Sequence, residues 1–146
     1  MYYFAYGSNM SHKQMQKRCP NSKFIRAATL NGYKFVYDGY SQKWQGAVAN
    51  IIESIRCVVW GGLFKVTESD IEKLDRCEGF PKKYQRKELP VYGKDRNVYK
   101  AFVYLRTGEK SGIPSKAYKD TVLEGAGDCG LDAKYIEEFL NITSTY

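Results

Sequence analysis

The order of strand-like and helix-like segments constrains the fold of this chain more than any other feature. Runs of aromatic and β-branched residues separated by turn residues fill the first two thirds of the 146-residue sequence, and helical patterns dominate the last third. The strict β-α-β alternation of a Rossmann-type sheet is missing. The pattern therefore predicts an α+β domain with a strongly curved or closed sheet.

Turn residues divide the strand-rich part into predicted strands and hairpins. The first strand, Tyr2–Tyr6, runs into the turn residues Gly7-Ser8-Asn9. The pair Asn31-Gly32 predicts a hairpin turn within residues 27–37. The remaining strands are expected at residues 47–52, 58–66, 84–92 and 98–105, the last two forming a hairpin across residues 93–97.

Capping residues place the helices. Ser11 predicts the start of a helix over residues 12–18, and the stretch from Thr67 to Asp70 predicts a capped helix over residues 70–76. Further helices are expected at residues 116–124 and 132–140, with a break at the glycines between them.

The net charge of +7 is compatible with a nucleic-acid-binding surface, an ordinary basic surface or attraction of small anionic substrates. No nucleic-acid-binding motif accompanies the charge, so a nucleic-acid partner is not expected. No apolar run approaches the roughly 20 residues of a membrane-spanning helix, so no membrane association is expected. No secretory leader is visible, and a cytoplasmic location is the default expectation.

We find none of the common catalytic motifs in this sequence. The only histidine, His12, lies in a basic helical segment with no orienting acid beside it, so a surface position is expected rather than a catalytic one. Phosphate-binding and dinucleotide-binding glycine motifs are missing, and the four cysteines are not paired as zinc ligands are. The chain is therefore expected to use no metal, cofactor or protein nucleophile.

The turn at Gly7-Ser8-Asn9 is the first candidate binding element. Its backbone N–H groups follow a strand and precede a helix, so they are free to converge on an anion such as a carboxylate. Gly7 would let a ligand approach closely. The alternative is an ordinary strand-to-helix turn, which favours the same residue types.

Glu78 is the first candidate for acid/base chemistry. It lies at the end of a short helix beside Gly79 and Phe80, where loss of solvation would raise its pKa toward neutrality. Lys82 and Lys83 would lower that pKa if they pointed inward. Asp75 is an alternative carboxylate, Glu72 is another but is expected to face solvent, and Glu78 could itself be a surface acid.

These segments belong to an ordered set of motifs that resembles the γ-glutamylcyclotransferases and their AIG2-like relatives. Tyr3–Asn9 reads YFAYGSN, as in that family. The similar segments that follow, in the same order, are residues 44–50, 59–64 and 74–79, Tyr84, residues 114–118, Gly125-Ala126 and Gly130-Leu131. The resemblance thus covers nearly the whole chain.

The resemblance implies a compact fold with a mixed β-barrel core and flanking helices. It also implies that Glu78 is the acid/base residue and that Tyr84 and Tyr118 contact the substrate. The implied substrate-binding segment consists of Tyr3, Phe4, Ala5, Tyr6, Gly7, Ser8 and Asn9, with the anion-binding loop at residues 6–9. Cys77 before Glu78 and the stretch Phe80–Lys83 after it depart from the family pattern and bear on the leaving group.

The reaction implied by the resemblance is an intramolecular acyl transfer. The α-amine of a γ-glutamyl compound attacks its own γ-carbonyl, which yields 5-oxoproline and releases an amine. Such a ring closure needs one base and a fixed substrate conformer. This agrees with the expectation that the chain uses no metal, cofactor or protein nucleophile. The leaving group could be an amino acid, an amine or a biosynthetic intermediate. The alternative is a non-catalytic module on the same fold that binds small anions or nucleic acid.

Overall fold

The computed structural model of the protein describes residues 1–144, in which five strands close a barrel in the order β1-β3-β2-β4-β5. All neighbours pair antiparallel except β1 and β5, which close the barrel in parallel through Tyr2 opposite Ala101 and Tyr3 opposite Phe102. The strands are β1 (Tyr2–Ala5), β2 (Lys23–Ser41), β3 (Gly46–Lys65), β4 (Gln85–Gly93) and β5 (Val98–Leu105). This confirms the predicted α+β class with a mixed, closed sheet.

The predicted hairpin at Asn31-Gly32 is wrong, because β2 continues through this point. The partner strand β3 pairs with β2 on both sides of Gly32, so the backbone remains in the sheet. The register jumps from Asn31 opposite Val58 to Tyr33 opposite Glu53, which leaves residues 54–57 without partners in β2. Gly32 takes a positive φ of 84° at this irregularity. The two strands expected at 47–52 and 58–66 are accordingly one strand.

The predicted hairpin of the fourth and fifth strands is confirmed. Strand β4 pairs with β5 from Gln85 opposite Leu105 to Tyr92 opposite Val98. The backbone N–H of Gly93 donates to the carbonyl of Asn97 across the connection.

Four helices flank the barrel, together with a 3₁₀ turn at Ser8–Met10. They are α1 (His12–Arg18), α2 (Glu68–Glu78), α3 (Lys116–Cys129) and the short α4 (Ala133–Tyr135), which continues into a π-helical turn at Ile136–Leu140. Ser11 caps α1 by accepting from the N–H of Gln14, as predicted. Thr67 and Asp70 form the predicted capping box of α2.

The predicted glycine-rich break after residue 124 is wrong, because α3 runs through Gly125 and Gly127 to Cys129. Gly125 permits a close approach of two backbones rather than a break. A Cβ at this position would lie 2.3 Å from the backbone N of Ser11, so only glycine allows α3 to pack against the start of α1.

One hydrophobic core fills the barrel and continues beneath the helices. Phe4, Leu63, Val91 and Val103 are fully buried within it, and burial of this apolar surface drives folding. Because α3 packs on the 3₁₀ turn, the core fixes the turn that follows β1. In residues 1–144 we find no helix with the length and apolar character needed to cross a membrane.

Candidate active site

A cavity of about 770 Å³ opens where the end of β1, the end of α2 and the turn between β2 and β3 meet. Its wall includes most of the residues expected from the sequence: Tyr3, Phe4, Tyr6, Gly7, Ser8, Asn9, Glu78, Tyr84 and Tyr118. Residues from the first strand, the turn after it, the helices α2 and α3 and the loop before β4 therefore meet at one place.

Ala5 is the one expected site residue that the structure places elsewhere. It is 1% exposed, pairs with Gly62 in the ladder between β1 and β3, and does not line the cavity. The small side chain is packed inside the fold, and its backbone is engaged in the sheet.

Glu78 is the last residue of α2 and contributes its carboxyl group to the cavity. The helix stops there because Gly79 adopts the left-handed conformation, with φ 67°. Burial of the carboxyl group raises the pKa of Glu78 to about 7, against the opposing influence of the nearby cations Arg18, Arg106 and Lys43. Glu78 can therefore both accept and donate a proton near neutral pH.

The other two candidate carboxylates do not line this cavity. Asp75 accepts a 2.6 Å hydrogen bond from the hydroxyl of Tyr104 and forms an ion pair with Arg86, so both of its oxygens are engaged. Glu72 is exposed, as predicted. Glu78 is the member of this set that is available to a ligand.

The side chain of Asn9 links Glu78 to the turn after β1. Its Oδ1 accepts hydrogen bonds from Nε2 of Gln14 and from a guanidinium nitrogen of Arg18, both at 2.9 Å. These two donors fix the orientation of the amide, so that Nδ2 points toward the hydroxyl of Tyr3 at 3.0 Å and Oε1 of Glu78 at 3.4 Å. Asn9 can only donate toward Glu78, which favours the ionised carboxylate.

The turn at Gly7–Asn9 leaves backbone donors available to a ligand. The carbonyls of Gly7 and Ser8 accept from Met10 and Ser11, whereas the N–H groups of Gly7, Ser8 and Asn9 donate to no hydrogen-bond acceptor that we find in residues 1–144. Gly7 is packed tightly, since a Cβ there would lie 2.8 Å from Cβ of Ala49 and 3.3 Å from the Tyr118 hydroxyl. Three adjacent amide donors can bind a carboxylate or polarise a carbonyl.

Tyr84 and Tyr118 both form hydrogen bonds with the backbone of Ala49, one at its carbonyl and the other at its N–H. The hydroxyl of Tyr118 accepts from the N–H of Ala49 at 3.0 Å, so its own proton is available to the cavity. The hydroxyl of Tyr84 donates to the carbonyl of Ala49 at 2.8 Å, so it offers lone pairs. Burial raises the pKa of Tyr84 to about 12 and that of Tyr118 well above its usual value, which keeps both hydroxyls protonated.

Sequence reasoning missed the buried ion pair behind Tyr84. A guanidinium nitrogen of Arg106 lies 2.6 Å from Oδ1 of Asp38, and the two side chains are 10% and 2% exposed. The Arg106 guanidinium stands over the ring of Tyr84, with 5.1 Å between its Cζ and the ring centroid. Asn50 donates to Asp38 and accepts from the backbone N–H of Arg106. Residues 38 and 106 are far apart in the sequence and belong to no common motif. Their one neighbour that the sequence analysis had included is Asn50, the last residue of the family-like segment 44–50.

His12 lies outside this cavity, beside a second and smaller one. The predicted surface position is confirmed only in part. The side chain is half-buried, and its ring packs on Phe24 with a centroid distance of 4.6 Å. Nε2 of His12 is 3.8 Å from Sγ of Cys129, yet burial raises the pKa of this thiol to about 12. Cys129 therefore stays protonated near neutral pH and is a poor nucleophile.

Within residues 1–144 we find no group of three or more His, Cys, Asp or Glu side chains positioned to hold a metal ion. The Glu78 carboxyl group, next to amide and hydroxyl donors, can transfer a proton to or from a ligand in the cavity.

Comparison with known proteins places this geometry in a family. Residues 3–120 match the family model described as "Gamma-glutamyl cyclotransferase, AIG2-like". The chain is 33% identical to γ-glutamylcyclotransferase of Homo sapiens and 32% identical to that of Mus musculus, in each case over 141 residues that cover 93% of this chain and 75% of the relative. A solved structure named "Gamma-glutamyl cyclotransferase" matches with a TM-score of 0.93 and 31% identity, covering 99% of this chain and 89% of the other.

Proposed function

The chain belongs to the γ-glutamyl cyclotransferase, AIG2-like family, and we propose that it cyclises the γ-glutamyl group of a small γ-glutamyl amine or peptide to 5-oxoproline, releasing the amine. It is an enzyme of the cyclotransferase type, and its substrate is a small molecule. The observation that carries the proposal is the Glu78 carboxyl group, which lines the cavity with a pKa of about 7 and lies 3.4 Å from the Asn9 amide.

Glu78 moves the proton in this mechanism. The carboxylate takes a proton from the substrate α-ammonium, and the free amine attacks the γ-carbonyl carbon. A C–N bond forms within the five-membered ring, and the C–N bond to the leaving amine breaks. Glu78 then returns its proton to the departing nitrogen and is ionised again. The ring nitrogen still carries one proton more than the neutral lactam, and the released amine takes up this proton, so the amine leaves as an ammonium ion. A pKa near 7 suits a group that must act first as base and then as acid.

The surrounding donors hold the substrate in the cyclising conformer. The free N–H groups of Gly7, Ser8 and Asn9 bind the α-carboxylate or polarise the γ-carbonyl. The Tyr118 hydroxyl donates its remaining proton to a substrate oxygen, and the Tyr84 hydroxyl accepts from the substrate α-ammonium. Because nucleophile and electrophile belong to one molecule, fixing this conformer removes much of the barrier.

A module that only binds anions is the weaker alternative. A carboxylate beside the anion-binding turn repels an anionic ligand at neutral pH, so Glu78 has no role in such a module. A cytoplasmic location and the absence of a nucleic-acid partner stay predictions from the sequence. Retention on a nucleic-acid column that collapses steeply with salt would instead indicate phosphate binding.

Product analysis tests the proposal. The protein is incubated with γ-glutamyl amino acids and γ-glutamyl amines, and 5-oxoproline, glutamate and the free amine are quantified. We expect 5-oxoproline and amine in equal amounts. Release of glutamate instead would indicate hydrolysis, and the absence of product from every substrate would overturn the proposed function.

A further inference from the structure

Three lysines that line the cavity have no acidic partner. Lys43 belongs to the turn between β2 and β3, and Lys82 and Lys83 belong to the loop between α2 and β4. None of them forms an ion pair with a carboxylate of residues 1–144. The other two cations of the wall are engaged, Arg106 by Asp38 and Arg18 by the Asn9 side chain.

The loop that carries Lys82 and Lys83 runs directly from Glu78 to Tyr84 and is anchored at both ends. The backbone N–H of Lys83 donates to the carbonyl of Gly79 at 2.8 Å, and the Lys83 side chain passes close over Gly79. Phe80 is held by the guanidinium of Arg86, with 4.7 Å between Cζ and the ring centroid. The loop is thus held against the end of α2, with the exposed side chains of Lys82 and Lys83 on the wall of the cavity.

The charges of the wall do not match a γ-glutamyl group alone. Five cationic side chains line the wall, and Arg106 is compensated by Asp38 at 2.6 Å and by Glu109 at 2.8 Å. Arg18 and the three lysines then face one carboxylate, Glu78. A γ-glutamyl group has one carboxylate and one ammonium and so carries no net charge. A cleft lined by an excess of one sign concentrates ligands of the opposite sign. A leaving group that carries negative charge would complement this excess.

Resting on the proposed function, we infer that Lys43, Lys82 and Lys83 form a leaving-group subsite that selects γ-glutamyl compounds whose leaving amine carries two carboxylates, as an acidic amino acid does. Lys43 and the pair Lys82-Lys83 belong to separate elements of the fold, so Lys43 can bind one carboxylate of the leaving group and the pair can bind the other.

Three substrates that differ only in leaving-group charge test the subsite. They are γ-glutamylglutamate, γ-glutamylglutamine and γ-glutamylglutaminamide, whose leaving amines are nearly equal in size and carry two, one and no carboxylates. We expect kcat/KM for 5-oxoproline formation to fall roughly two- to fivefold at each step in low salt, as for exposed ion pairs. The steps should shrink at about 0.5 M salt, where screening is strong.

Two variants with equal net charge locate the effect. K43Q/K82Q/K83Q should bring the ratio of kcat/KM between γ-glutamylglutamate and γ-glutamylglutaminamide close to one. K87Q/K100Q/K134Q removes three exposed lysines that do not line the cavity and should keep the wild-type ratio. Using a ratio cancels any partial loss of folded protein.

The outcomes separate this inference from the function on which it rests. Equal kcat/KM for the three substrates, or an unchanged ratio in K43Q/K82Q/K83Q, would overturn the leaving-group subsite while 5-oxoproline formation stands. If none of the three substrates yields 5-oxoproline, the proposed function itself fails.

Discussion

The side-chain nitrogen of Asn9 lies 3.4 Å from Oε1 of Glu78, although 69 residues separate the two along the chain. Asn9 sits in the turn that ends the first strand, and Glu78 ends the second helix. The contact joins the proposed anion-binding turn to the proposed acid/base residue, so we expect a change at one to be measurable at the other.

The pH dependence of kcat/KM should report the pKa of Glu78 in the free enzyme. Only the ionised carboxylate can act as the base, so kcat/KM should rise with pH and level off above about 7. Steady-state rates between roughly pH 5 and 8.5 measure this rising limb of the pH profile. A limb centred near 4.5, the ordinary value for a glutamate, would mean that the carboxyl group is solvated in the active protein.

The same raised pKa predicts a pH-dependent stability difference for Glu78→Gln. Below about pH 4.5 the carboxyl group is protonated in both the folded and unfolded states and costs nothing. As the pH rises to about 7 the folded state retains a proton that the unfolded state loses, so wild-type stability falls. Above this window Glu78→Gln should unfold with a free energy up to about 3 kcal/mol higher than wild type.

Urea unfolding at pH 4 and pH 8 measures this difference. Glu72→Gln, an exposed acid on the same helix, is the control and should show no gain at either pH. A stabilisation of Glu78→Gln that is equal at the two pH values would point to packing rather than desolvation.

Arg18 should act on the reaction through Asn9 and through its charge. Arg18→Met removes one of the two donors that orient the Asn9 amide and a cation that lowers the pKa of Glu78. The rising limb of kcat/KM should therefore move to higher pH. Lys17→Met, a neighbouring exposed residue that does not line the cavity, should leave the limb in place. A lower rate with an unmoved limb would assign Arg18 a purely structural role.

Gly7→Ala and Gly127→Ala should have opposite effects on stability. A methyl group at Gly7 meets Ala49 at 2.8 Å and the Tyr118 hydroxyl at 3.3 Å, so the site must shift, at a cost of about 1–3 kcal/mol and with loss of activity. Gly127 lies inside α3 with nothing within 4 Å, so alanine there should stabilise by roughly 0.5–1 kcal/mol. Thermal unfolding and 5-oxoproline assays compare the two; a neutral Gly7→Ala would show that the turn tolerates a side chain.

The sequence was most informative where local chemistry decides the structure. The caps at Ser11 and Thr67 and the β4–β5 hairpin depend on residues a few positions apart, and all three were predicted correctly. Asn31-Gly32 and Gly125 misled because tertiary contacts decide there: strand pairing on both sides of Gly32, and the backbone of Ser11 against Gly125.

The candidate site was predicted only in part. Most of the expected residues were identified from segments that resemble the family's motifs, and the fold brings these residues to one cavity. Two contacts of the site could not be predicted, the Asp38–Arg106 ion pair and the Arg18–Asn9 hydrogen bond. Their residues follow no spacing pattern in the sequence.

The central claim is that the Glu78 carboxyl group transfers the proton during cyclisation, and Glu78→Gln tests it most directly. The amide keeps the shape of the side chain but cannot titrate. Measured beside wild type and Glu72→Gln, its rate of 5-oxoproline formation should fall at least about a hundredfold, with the Glu72→Gln rate unchanged. A Glu78→Gln protein that forms 5-oxoproline at the wild-type rate would contradict the mechanism.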